Sequence, residues 1–222
     1  MEKQVDKAAK EIGRSQAPVI IAGRGIVISG ASSELQLLAE KIQAPVVSTL
    51  LGLSAFPQDH PLGLGMIGMH GTVLANTAVS KADLIIAIGN RFDDRATTTE
   101  SGLSGFAPNA KVIHIDIDAA EIGKIVKVDV PIVGDAKKVL QSLNSKILDE
   151  SHPAWLSQIE QWRREHPNRI IRESDELLPE FCIRGIYDIT AGDATVVTGV
   201  GQHQMWAALQ FTSKGSNNFI YS

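Results

Sequence analysis

Thr198-Gly199-Val200-Gly201-Gln202-His203-Gln204-Met205-Trp206-Ala207-Ala208 carries the densest chemical signal of the chain. It follows the apolar run Ala194-Thr195-Val196-Val197 and leads into a helical pattern. A strand that ends in two glycines, with a helix opening at Gln202 and His203, presents free backbone N–H groups to a ligand. Phosphate or diphosphate suits such a turn. A second set of small and polar groups lies upstream. Gly23-Arg24-Gly25, Thr49-Leu50-Leu51-Gly52, Gly89-Asn90-Arg91-Phe92-Asp93-Asp94-Arg95 and Asp116-Ile117-Asp118 each follow an apolar run, and Gly68-Met69-His70-Gly71 enters a helix start. Loops on one edge of an open sheet form an extended site suited to a dinucleotide. Arg91 and Arg95 can each grip phosphate through paired hydrogen bonds. Beside Asp93 and Asp94 they can equally form a surface ion-pair cluster of little energetic weight.

Other motifs fall away on inspection. Gly23-Arg24-Gly25 would need glycine at position 28 for a simple dinucleotide fingerprint, and Ile28 stands there. The next helix is expected late, after Gly30, and Ser48-Thr49 puts no acid at the end of the second strand, so an NAD-type ribose contact has no partner. Gly192-Asp193-Ala194 with Asn217 and Asn218 mimics a Gly-Asp-Gly…Asn metal motif but lacks the third glycine and precedes a strand. No Ser/His/Asp order or Cys/His metal spacing stands out, so no catalytic or metal-ligating residue is predicted.

These loops need a scaffold. Val5, Ala8, Ala9 and Ile12 recur at helical spacing. The runs at 18–23, 45–49, 83–89, 111–116 and 131–134 read as strands, with helices predicted over 32–43, 71–81 and 136–148. The strand runs are continuously apolar rather than alternating, the mark of parallel strands buried on both faces. The predicted fold is α/β: a three-layer, doubly wound, Rossmann-like domain over residues 1–150, with five or six parallel strands. Residues 151–180 read as a linker with a short amphipathic helix whose Trp155, Ile159 and Trp162 pack onto the domain. Residues 181–222 hold an incomplete second α/β unit.

Composition narrows the class. The 222 residues are 44% hydrophobic, with a net charge of −4, which argues against nucleic-acid binding. No apolar run approaches the ~20 residues needed to span a bilayer, and Met1 to Lys7 lacks the apolar stretch of a signal peptide. A cytoplasmic protein is expected. The one cysteine, Cys182, excludes an intramolecular disulfide and, between Phe181 and Ile183, is predicted to be a buried thiol.

Together these stretches resemble the large subunits of acetolactate synthase (acetohydroxyacid synthase), thiamine-diphosphate enzymes. The matching pieces include Pro45 to Leu53, Gly68 to Thr72, Arg91-Phe92-Asp93-Asp94-Arg95, His114 to Asp118, Ala120 to Lys124, Pro131 to Asp135 and Gly199 to Ala208, in family order across nearly the whole chain. The resemblance implies the family's central domain, a linker and the opening of its diphosphate-binding domain. It implies FAD, largely structural, lined by Gly23, Gly25, Thr49, Leu50, Gly68, Met69, His70, Gly89, Arg91, Asp94, Asp116 and Ile117. It implies that Val200, Gly201, Gln202 and His203 hold the diphosphate of thiamine diphosphate.

For the parent enzyme it implies Mg2+, condensation of pyruvate with a second 2-keto acid in branched-chain amino acid biosynthesis, a homo-oligomer of dimer or higher order, and room for a regulatory subunit. The family's activating glutamate belongs to an N-terminal domain, and its magnesium site would lie beyond Ser222. The segment is therefore expected to be inactive alone and to bind cofactors weakly or not at all. Arg24 and Asn90 depart from the family pattern, and Leu209 reads as an inserted residue. A stand-alone FAD- or nucleotide-binding or structural module, and another thiamine-diphosphate decarboxylase or carboligase, remain the alternatives.

Overall fold

The computed structural model describes residues 1–97, 106–167, 175–212, 214 and 218–221. Asn217 and the middle of the predicted linker, 168–174, lie outside the described residues. The chain opens with helix α1 (Glu2–Ile12) and strand β1 (Pro18–Ala22), then α2 (Arg24–Ser29), α3 (Ser32–Lys41), β2 (Val46–Ser48) and a single 3-10 turn at Leu50–Gly52. Next come β3 (Gly63–Met66), α4 (Val73–Lys81), β4 (Leu84–Ile88), α5 (Asp94–Thr97), β5 (Lys111–Asp116), β6 (Val130–Val133) and α6 (Ala136–Asn144). The remainder is α7 (Pro153–Glu165), α8 (Pro179–Thr190), β7 (Val196–Thr198), α9 (Gln202–Gln210) and β8 (Phe219–Tyr221).

Six strands form one sheet in the order β3-β2-β1-β4-β5-β6, parallel at every pairing. The chain winds outward through β1, β2 and β3, then returns to lay β4 against β1, with Ala22 opposite Ile88. That reversal leaves a crevice at the carboxyl ends of β1 and β4, where open α/β sheets receive ligands. Every residue of β1 and β4 is buried, as strands covered on both faces require.

Alternate residues serve opposite layers, because side chains along a strand point to opposite faces. Ile20, Ala22, Ile86, Ile88, Ile113 and Ile115 pack with Val5, Leu35, Leu38 and Leu140 of α1, α3 and α6. Val19, Ile21, Ile85, Ala87 and Val112 pack with Leu74, Ala78, Trp155 and Ile159 of α4 and α7. Trp155 also donates from Nε1 to the Pro18 carbonyl at 3.2 Å, and stacks edge-on against Trp162. The amphipathic stripe of α7 thus covers the first sheet, as its spacing predicted.

Four local expectations change. Strand β3 was not predicted: two of its four residues are glycine, so it lacks the branched apolar signal of its neighbours. Helix α2 begins directly after Gly23 rather than after Gly30; Gly30 instead ends it in the left-handed conformation, φ 61°. Helix α4 starts at Val73, capped by Thr72, whose hydroxyl accepts from Ala75 N at 3.1 Å, so His70 sits in the preceding turn. Cys182 is exposed rather than buried. It lies on α8, a helix with no buried residue, whose Ile183 and Tyr187 pack against Ala207 and Phe211 at α9 and Phe219 of β8. Among the described residues, no helix is long and apolar enough to cross a membrane.

Candidate cofactor-binding cleft

The strand-end loops are tied to one another by backbone. Gly23 N donates to Ile88 O at 2.9 Å and Gly25 N to Gly89 O at 3.1 Å, joining the turn after β1 to the turn after β4. Thr49 N reaches Ala22 O at 3.0 Å, Gly89 N reaches Ile115 O at 2.8 Å, and Met69 N reaches Arg95 O at 2.8 Å. Glycine is needed where the chains touch. A Cβ on Gly23 would lie 2.1 Å from Gly89 O, and one on Gly68 would lie 2.1 Å from Arg95 O. These glycines serve the contact between loops, not only the approach of a ligand.

The edge so built encloses a cleft of about 750 Å³, within the usual range of a small-molecule site. Of the residues singled out in the sequence, Gly25, Thr49, Leu50, His70, Gly89, Arg91, Asp116, Ile117 and Val200 line it. Gly23, Gly68, Met69, Asp94, Gly201, Gln202 and His203 do not. The first two hold the lining loops together, and the others stand exposed on neighbouring turns and at the starts of α5 and α9. Arg95 and Asp93, read in the sequence as phosphate-gripping or ion-pairing neighbours of Arg91, also line the cleft, as do Arg24, Asn90, Gln204 and Met205 of the same motifs; Met66 and Asp135 line it without having been named as site residues. Asp135 carried a readable signal, an acid between the last strand of the sheet and a helix. It caps α6 by accepting from Lys138 N at 3.1 Å.

The charges on this wall are unequal in freedom. Asp93 accepts from Ala96 N at 3.0 Å, and Asp116 accepts from Asp118 N at 2.9 Å. With the Asp135 cap, each wall carboxylate holds a local N–H. The side chains of Arg24, Arg91 and Arg95 have no ion pair or hydrogen bond with any described residue. The surface ion-pair reading of the Arg91–Arg95 cluster is thereby replaced: three free guanidinium groups face a cleft whose acids are engaged.

Beneath the wall, His114 is fully buried and its Nε2–H donates to Asn90 O at 2.8 Å. Its other ring nitrogen has no partner among the described residues. Loss of solvation pulls its pKa below the ordinary 6.5, against a weaker upward pull from the Asn90 carbonyl and from Asp116. The ring is neutral, packed edge-on against Phe92 at 4.9 Å. Asn90 Oδ1 accepts from Phe92 N at 3.1 Å, supporting a left-handed turn at Phe92, φ 55°. His114 and Asn90 together shape the loop that carries Arg91.

Helix α9 closes the opposite side. Ala208 packs against Leu53 and Met66, with Leu50 and Met205 beside them, which places Val200, Gln204 and Met205 on the cleft. The strand β7 ends at Thr198 and α9 opens at Gln202, as the glycine spacing predicted. Gly201 caps it without a side-chain hydrogen bond, at φ 152°, and Gln202 and His203 are exposed. The turn leaves polar groups open toward solvent. Among the described residues, no three His, Cys, Asp or Glu side chains gather as a metal set.

Residues 5–143 match the model of the thiamine pyrophosphate enzyme central domain. The chain belongs to that family. Over 99% of its length it is 45% identical to a probable acetolactate synthase large subunit of Methanocaldococcus jannaschii, covering 38% of that protein. It is also 45% identical, over 93% of its length, to the acetolactate synthase large subunit of Corynebacterium glutamicum, covering 33% of it. With the isozyme 3 large subunit of Escherichia coli it shares 41% identity over 99% of its length, 39% of that protein. The chain thus spans between a third and two fifths of these relatives.

Proposed function

We propose that this chain is the part of an acetolactate synthase large subunit that seats FAD and forms one wall of the thiamine diphosphate site. The carrying observation is the likeness of nearly the whole chain to acetolactate synthase large subunits. The parts are a central domain over 1–150, a linker over 151–180 and the opening of the diphosphate-binding domain over 181–222. The cleft fits a dinucleotide in size and in its free guanidinium groups. Gly25, Thr49, Leu50, His70, Gly89 and Arg91 would line it, with Asp116 and Ile117 at the β5 end and Gly68 and Met69 holding the loop that carries His70. Val200 and Gly201 would offer backbone N–H groups to the diphosphate of thiamine diphosphate, beside the exposed Gln202 and His203. The described residues do not fit a magnesium site, and no step is assigned to one.

Thiamine diphosphate, when bound, supplies decarboxylation of one 2-keto acid and transfer of its two-carbon unit to another. The chain's own contribution is to position: its backbone turns orient the cofactor, and α9 shields the cleft. Held by this chain alone, FAD is expected to bind weakly. The relatives' designation as large subunits supports a smaller regulatory partner, and self-association completes the assembly. We place it in the cytoplasm, although relatives from rice and maize are named as chloroplastic.

The test is a chimera in which this chain replaces the matching segment of the M. jannaschii relative. With pyruvate, thiamine diphosphate, Mg2+ and FAD, the chimera is expected to form acetolactate and the chain alone none. A folded chimera without activity would overturn the assignment, as would activity in the isolated chain.

A further inference from the structure

We propose that Arg24 is a binding residue for the diphosphate of the dinucleotide, acting with Arg91 as a two-sided guanidinium clamp across the crevice between β1 and β4. This rests on the reading of the cleft as a dinucleotide site. Arg24 lies between Gly23 and Gly25, whose N–H groups are both bonded to the end of β4 and its turn, at 2.9 and 3.1 Å. The backbone carrying Arg24 is therefore fixed against the loop that carries Arg91. Both side chains line the cleft, and neither has a partner among the described residues. The wall acids Asp93, Asp116 and Asp135 each already accept a backbone N–H. Free cationic forks from two stitched loops, at the point where the strand order reverses, suit a group bearing more than one negative charge. A diphosphate is such a group, and a flavin ring without phosphate is not.

The test is titration of the 222-residue chain and its Arg24→Gln and Arg24→Lys variants with FAD up to millimolar concentrations, with riboflavin and inorganic pyrophosphate as comparisons. Arg24→Gln is expected to weaken FAD about tenfold and to flatten its salt dependence, with riboflavin affinity and ligand-free Tm unchanged. Arg24→Lys recovers part of the loss, because it restores the charge but not the fork. If Arg24→Gln binds FAD as the parent chain does, or loses riboflavin equally, the clamp is refuted while the dinucleotide reading stands. Pyrophosphate binding as tightly as FAD would make the clamp a free-diphosphate site and overturn its assignment to the dinucleotide. Where the 222-residue chain binds no FAD, the same variants are compared in the chimera, and FAD affinity there unaffected by Arg24→Gln refutes the clamp.

Discussion

Replacing Gly23 with alanine sets two effects of opposite sign against each other. Gly23 has φ −103° and ψ −177°, an extended conformation open to any residue. Chain entropy alone therefore predicts a gain of roughly 0.4–1 kcal/mol from the substitution. Packing predicts a loss. The new Cβ would lie 2.1 Å from Gly89 O, 2.6 Å from Gly89 C and 2.8 Å from Asn90 Cα, backbone atoms that no rotamer change can move. Ordinary contact begins near 3.4 Å, so the two strand ends must part by more than an ångström. That breaks or stretches the hydrogen bonds Gly23 N to Ile88 O and Gly25 N to Gly89 O. Overpacking costs about 1–3 kcal/mol, and each buried hydrogen bond lost costs about 1–3 kcal/mol more. With both bonds lost the net expectation is a loss of about 2–9 kcal/mol, a large share of the roughly 5–15 kcal/mol typical of a folded protein. Urea denaturation of the chain reads it as a lower midpoint at unchanged slope. Gly30→Ala is the control. Gly30 has φ 61° and nothing within 4 Å of its Cβ position, so only left-handed strain of about 1–2 kcal/mol applies. If Gly23→Ala is as stable as the parent, or no worse than Gly30→Ala, the loops are not held by backbone contact and the reasoning fails.

Two further perturbations test the buried histidine and the corrected cysteine. His114 is held below its ordinary 6.5 by burial, so the unfolded chain binds more protons below that pH. Its contribution to stability is full above about 6.5 and is lost as pH falls toward the folded value. His114→Phe should be less stable at neutral pH, through the lost bond to Asn90 O, yet flatter in urea midpoint below pH 6.5; an unaltered profile would sink the assignment. Cys182 should react with a thiol reagent in the native state at nearly its rate in urea, and protection from the reagent would contradict its exposed place on α8.

Long apolar runs made the sheet legible, because a strand buried on both faces carries few polar residues. What stayed hidden had its cause elsewhere in the chain. Strand β3 reads Gly63-Leu64-Gly65-Met66, weak by propensity, and it is defined by pairing with β2 and by the Thr72 hydroxyl on Leu64 O. Helix α2 contains Gly25 and the β-branched Ile26, Val27 and Ile28, poor helix formers. It forms where the Gly23–Gly25 turn is bonded to the end of β4 and where Gly30 closes its end. Cys182 sits between apolar neighbours, but Ala207, Phe211 and Phe219 cover one stripe of α8, at Ile183 and Tyr187, and leave Phe181 and Ile189 exposed.

The cleft was legible in place more than in cause. Glycines at strand ends marked the right edge of the sheet, yet sequence cannot say whether a missing side chain makes room for a ligand or for another backbone. Gly23 and Gly68 do not line the cleft, and the atoms that forbid a side chain there belong to Gly89 and Arg95. The arginines illustrate the complementary limit. Spacing placed Arg91 and Arg95 beside Asp93 and Asp94, and adjacency suggested mutual pairing. A three-dimensional fact decides otherwise: Asp93 and Asp94 turn an oxygen to the N–H groups of Ala96 and Arg95, which leaves the guanidinium groups free. Because an unpaired cation fixed by rigid backbone gains most from a mobile anion, the loops' stiffness and the arginines' freedom are one feature: the backbone contacts that exclude side chains at Gly23 and Gly89 also fix the turns that carry Arg24 and Arg91.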